Sequence, residues 1–136
     1  MFGPHLTLDC YRCSKEKLGN VDFIKSILED LPEKLGLSKL SKPIVNFYNK
    51  PTPGISGFII ISESHISIHT FVEEQFAAVD IFSCKEFDVD KAVEYLTKAF
   101  EPKSVEKKFM ERGTHYPIEL RKAIQLNLRK RVSKKV

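Results

Sequence analysis

Residues 62–69, Ser-Glu-Ser-His-Ile-Ser-Ile-His, hold three serines, two histidines and a carboxylate in eight positions. Upstream, Ser56 stands between Ile55 and Gly57 in Gly54-Ile55-Ser56-Gly57. Downstream, Cys84 closes the run Ala77-Ala78-Val79-Asp80-Ile81-Phe82-Ser83-Cys84. A hydroxyl nucleophile, an imidazole base and a thiol thus fall between residues 56 and 84. These side chains are of the types that perform acyl transfer and proton transfer.

Spacing argues against two simple versions of that chemistry. His65 and His69 would share a metal ion on a helix, but Ile66, Ile68, Thr70 and Phe71 favour a strand. Four residues of strand span about 13 Å, too far for one ion, so no metal site is expected. A serine hydrolase needs Gly-x-Ser-x-Gly on a strand-to-helix turn. Gly54-Ile55-Ser56-Gly57 has another spacing and leads into a strand. A third chemistry suits the pattern better. Ser64, preceded by Glu63 in a strained link between strands, could attack the carbonyl before it and form an ester. Elimination would then cut the chain and leave a pyruvoyl group, a carbonyl that captures amines as a Schiff base and withdraws electrons. A polar strand face that simply meets water is the alternative without chemistry.

The elements that must position these residues alternate between strand and helix patterns. His5–Tyr11 reads as a first strand and Pro43–Tyr48 as a second, with further strands at 56–62, 64–71, 76–84 and from Ser104 to Arg112. Asn20-Val21-Asp22 opens a helix whose apolar residues recur to Leu35. Pro32 should kink or end it, and Gly36 is a natural stop. Asp88 caps a second helix carrying Ala92, Val93, Leu96, Ala99 and Phe100, ended by Pro102. This is an α+β fold: an antiparallel β-sheet with its helices on one face. A partly amphipathic helix is expected from Ile118.

At 136 residues, 42% hydrophobic and 29% charged, the chain suits one soluble domain. It shows neither a signal peptide nor an apolar run long enough for a membrane span, so a cytoplasmic location is expected. The net charge of +4 is uneven. Residues 117–136 hold seven Lys/Arg and one acid, leaving the rest at −2, so a solvated tail is expected rather than a nucleic-acid surface. Cys10 and Cys13 form a lone C-x-x-C and are expected as buried thiols at the end of a strand.

Glu63-Ser64-His65-Ile66-Ser67-Ile68-His69-Thr70 resembles the signature of the prokaryotic S-adenosylmethionine decarboxylase proenzymes. The segments Gly54–Gly57, Ala77–Cys84, Gly3-Pro4-His5-Leu6 and Glu111-Arg112-Gly113 resemble that family's other motifs, in order. The resemblance covers residues 3–113, leaving 114–136 as a basic extension. It implies cleavage between Glu63 and Ser64 into chains 1–63 and 64–136, with Ser64 becoming the pyruvoyl cofactor. It also implies that His69 acts in processing with help from Ser56, and that Cys84 reprotonates the substrate carbon after carbon dioxide leaves. Decarboxylated S-adenosylmethionine is the aminopropyl donor for spermidine. The resemblance further implies a homodimer of two-chain units, stacked sheet to sheet as an αββα sandwich with active sites near the interface.

Several positions depart from the family. Phe71 and Val72 stand where tryptophan and proline are usual, and Lys85 replaces the glycine after the cysteine. Gap-free alignment puts Lys50 where an aromatic stacks on adenine, so Tyr48 or Phe47 is expected to supply that contact. A paralogue acting on arginine or another basic amino acid, and an uncleaved binding module, are the competing functions. Strand parity sets Ser64 and His69 on opposite faces. The resemblance therefore predicts a bent or bulged strand near Ser64, or a terminus that swings after cleavage.

Overall fold

Alternating burial builds the sheet from its middle outwards. In β4 (Ser64–Phe71) Ile66, Ile68 and Thr70 are buried, while His65, Ser67 and His69 lie on the other face. β3 (Gly54–Ile61) and β5 (Phe76–Phe82) flank it with the same period. Ile55, Ile59 and Ile61 turn inward on β3, and Ala77, Val79 and Ile81 do so on β5. β1 (Gly3–Tyr11), β2 (Ile44–Tyr48) and β6 (Ser104–Arg112) complete a six-stranded sheet ordered β2-β3-β4-β5-β1-β6. Every neighbouring pair is antiparallel. This computed structural model describes residues 3–115, and the helix expected from Ile118 lies outside them.

Three helices cover one face. In α2 (Val21–Lys34) the Asn20 side chain accepts the Phe23 amide at 3.0 Å, and Ile24, Ile27, Leu28 and Leu31 are buried. Pro32 sits in the last turn without breaking it; the helix runs on to Lys34, and Gly36 leaves it at φ 71°. Asp88 caps α3 (Val89–Phe100), which buries Ala92, Leu96 and Phe100. A single-turn helix, α1 (Lys15–Leu18), was not expected, being too short to show a period. Full burial of each large aliphatic side chain contributes about 1.5–3 kcal/mol, so this face holds the domain together. Gly57 sets how closely α2 approaches: a Cβ there would lie 2.9 Å from Leu28 Cδ1 and 3.2 Å from Ile24 Cγ2. Among the described residues, no helix is long and apolar enough to cross a membrane.

Among the described residues, no helix lies on the opposite face of the sheet. That face carries His5, Ser56, His65, Ser67, His69 and Asp80 together with exposed Ile44, Phe58, Ile60 and Met110.

The expected bend at Ser64 does not occur. The β3–β4 ladder runs unbroken from Gly54 opposite Phe71 to Ile61 opposite Ser64. The irregular backbone is confined to the turn, where Glu63 takes φ 64°.

Thr70 ties the layers together. Its buried hydroxyl donates to Leu18 O at 2.7 Å and accepts from the Ile55 amide at 3.0 Å. Thr70→Val keeps the shape but strands both partners, and should cost about 1–3 kcal/mol. A lowered urea midpoint with an unchanged slope would register that loss.

Candidate active site at the β3–β4 turn

Ser62 and Glu63 alone connect β3 to β4. Two-residue hairpin turns require left-handed backbone, usually supplied by glycine or asparagine. Here Glu63 adopts it with a full side chain, at a cost of roughly 1–2 kcal/mol. The Ser62 amide is held by Ser38 O at 2.7 Å. The carbonyl of this strained residue accepts two hydrogen bonds. One comes from Ser64 Oγ, the other from Cys84 Sγ at 2.9 Å, and the two donors lie 3.6 Å apart.

Register brings the cysteine there. His65 pairs with Phe82, so the chain just past β5 runs alongside the turn. Asp80 and Phe82 share the uncovered face, and Cys84 reaches the turn from beyond the strand's end. Ser83 is buried, its amide bonded to Pro4 O and its hydroxyl accepting the Lys85 amide at 2.9 Å. The Lys85 ammonium donates to Gly36 O at 2.9 Å, just past the end of α2, where helix carbonyls favour a cation. A cavity of about 250 Å³ opens beside the turn, lined by Leu37, Ser38, Ser62, Glu63, Cys84 and Lys85.

His69 and Ser56 form a second constellation. They are directly paired across β3 and β4, and Ser56 Oγ lies 3.0 Å from His69 Nδ1 on the uncovered face. His69 stands five residue steps along β4 from Ser64, about 16 Å along the ladder. One protomer thus assembles Glu63, Ser64 and Cys84 at one place and Ser56 with His69 at another.

Tyr48 and Phe47 lie toward the second constellation. Tyr48 pairs with Gly54 and donates to Thr70 O at 3.3 Å, while Phe47 is half exposed opposite Ile55 on the edge strand. Neither sits at the Ser64 turn.

Cys10 and Cys13 are in the core, as expected. A side-chain hydrogen bond with Cys13, and then burial, push the Cys10 thiol far above its ordinary pKa.

One cluster escaped the sequence reading. Asp80 Oδ1 accepts from His5 Nε2 at 2.8 Å and lies 3.5 Å from His65 Nε2. Asp80 had stood out only as a motif letter, and its partners are remote in sequence.

The chain matches the model of the family described as S-adenosylmethionine decarboxylase over residues 4–113. An S-adenosylmethionine decarboxylase proenzyme of Persephonella marina is 40% identical over 116 residues, covering 82% of this chain and 83% of the relative. One from Geobacillus kaustophilus is 34% identical, covering 89% and 94%. The crystal structure of the adenosylmethionine decarboxylase from Aquifex aeolicus is similar, with a TM-score of 0.69 and 31% identity over 88% of this chain and 94% of that one. The family match over residues 4–113, these relatives and the shared fold agree: the chain belongs to the S-adenosylmethionine decarboxylase family.

Proposed function

We propose that the protein is a self-processing decarboxylase that cuts itself between Glu63 and Ser64 and converts S-adenosylmethionine to its decarboxylated form and carbon dioxide. The observation that carries this reading is the Glu63 carbonyl, held at a left-handed residue between Ser64 Oγ and the Cys84 thiol. A nucleophile touches the carbonyl it would attack, and a proton donor already polarises the oxygen. Attack by Ser64 Oγ breaks the Glu63–Ser64 C–N bond and forms an ester. Loss of the Ser64 α-proton expels the Glu63 carboxylate, and hydrolysis of the enamine releases ammonia and leaves a carbonyl at residue 64.

The donor set fits a pyruvoyl group: the serine that would become it faces the Cys84 thiol, and that cysteine and Glu63 line a cavity. That group supplies an electron sink for the charge left as carbon dioxide departs. Cys84 is in reach to return a proton to the substrate carbon.

His69, with Ser56 on its Nδ1, is the base for processing, yet it is about 16 Å from Ser64 in its own chain. Stacking two uncovered faces would remove the separation along the ladder, because it lays the dyad of one chain over the turn end of the other, where Ser64 must turn from the covered side to meet it. Exposed Ile44, Phe58, Ile60 and Met110 on that face favour such a homodimer, since their burial would drive it. Tyr48 lies toward the dyad's end of the sheet, so the same partner could offer the ring that stacks on adenine. Residues 1–113 form the decarboxylase body in this reading, with 114–136 as an extension.

Purified protein should run as two chains, 1–63 and 64–136, the second blocked at its N-terminus. It should release labelled carbon dioxide from carboxyl-labelled S-adenosylmethionine and not from arginine. A chain that stays whole overturns the proposal; release from arginine alone overturns the substrate.

A further inference from the structure

The cut creates a positional problem. Residue 64 starts in a closed hairpin, tied to Glu63 on one side and His65 on the other. Afterwards it is a chain end that has lost its nitrogen, and with it the backbone N–H. Only the bond to His65 then aims the new carbonyl, so whatever fixes His65 fixes the reacting atom.

His65 is held unusually well for a residue beside a turn. Its ring stacks on Phe58 with centroids 5.5 Å apart and 24° between planes, and meets Phe82 edge-on at 6.0 Å. Its Nε2 faces Asp80 Oδ1 at 3.5 Å. Asp80 is fixed in turn by His5 Nε2 at 2.8 Å, and His5 packs against Phe82 at 5.4 Å. The Arg112 guanidinium caps the far side of Phe82 at 4.4 Å. Phe58, His65, Phe82, His5 and Arg112 thus form a continuous row across β3, β4, β5, β1 and β6, with one carboxylate bridging both imidazoles. The row crosses the sheet one residue from the cut. His5 Nδ1 is buried and has no hydrogen-bond partner among the described residues. Ring orientation is therefore set by Asp80 and by stacking alone.

We infer that His65 is a positioning residue for the chain end made by cleavage, and that Asp80, steadied by His5, holds it. The inference rests on the function proposed above. Before the cut the turn itself holds Ser64, so processing does not depend on this anchor. After the cut, decarboxylation does. A misplacement of about 1 Å at a reacting centre can cost up to about a hundredfold in rate.

The test uses His65→Phe, which keeps the stack and loses the ring nitrogen facing Asp80, and Asp80→Asn, which removes the charge. Both should reach full cleavage by intact mass. Both should lose about ten- to a hundredfold in kcat with a smaller change in KM. In the absence of substrate, phenylhydrazine should capture the terminal carbonyl of each variant faster than that of the parent, because the end is looser. The double variant should be no worse than the poorer single one, since both remove one contact. Parent-like kcat and hydrazine capture in both variants overturn the inference, as does failure of the cut in variants that fold. A parent that never cleaves overturns the functional reading as well, which separates the two failures.

Discussion

Ser64→Ala should leave a single uncut chain that releases no carbon dioxide from S-adenosylmethionine. Alanine occupies less space than serine at this half-buried position, so the fold and its melting temperature should change little. What disappears is the oxygen in contact with the Glu63 carbonyl. Cys84 lies against the same carbonyl oxygen, but attack by its thiol would not deliver an ester at residue 64. Denaturing electrophoresis and intact mass measure the outcome directly. Any chain beginning at residue 64 in this variant would show that the nucleophile lies elsewhere.

His69→Ala should also stop maturation, by a different route. The side chain is exposed and, among the described residues, bonds only Ser56, so its loss should change stability by no more than about 0.5 kcal/mol. Losing a positioned base costs about 10²–10⁴ in rate, enough to leave most chains uncut over hours of expression. The distance between the two constellations makes a sharper experiment possible. When Ser64→Ala and His69→Ala chains are produced together, a mixed dimer offers an intact Ser64 on one chain and an intact His69 on the other. If the dyad works across the interface, the His69→Ala chain is cut in that mixture, though neither protein is cut alone. Absence of cutting in isolated mixed dimers would assign the dyad to its own chain.

Side-chain types and strand period carried much of this site. Ile66, Ile68 and Thr70 point inward on β4 as their alternation requires, which is why Ser64 and His69 cannot share a face. Of the two expected remedies, the bent or bulged strand is absent near Ser64 for a local reason, which leaves a terminus that swings after cleavage. A two-residue turn concentrates its irregularity in one left-handed residue, and Glu63 gives no glycine-like signal of it. The contact of Cys84 with Glu63 O was equally hidden, because it depends on the pairing of His65 with Phe82. His5 and Asp80 meet across β1 and β5 by register alone, and periodicity within one segment carries no register between segments. The four-residue α1 fell below the length at which a helical period is visible.

The strand order bears on what maturation does to the molecule. The proposed cleavage after Glu63 would assign β1, β2 and β3 to one fragment and β4, β5 and β6 to the other. In the sheet β1 is inserted between β5 and β6, and β3 pairs with β4. The fragments are therefore interlaced like fingers of two hands, and parting them means unzipping three ladders. The proenzyme can reach this weave by folding one covalent chain, in a first-order process. Once nicked and unfolded, it could regain the weave only when two fragments meet, at a rate set by their concentration. The proposed self-cleavage would thus make assembly a one-time event, like a knot tied before the ends are trimmed.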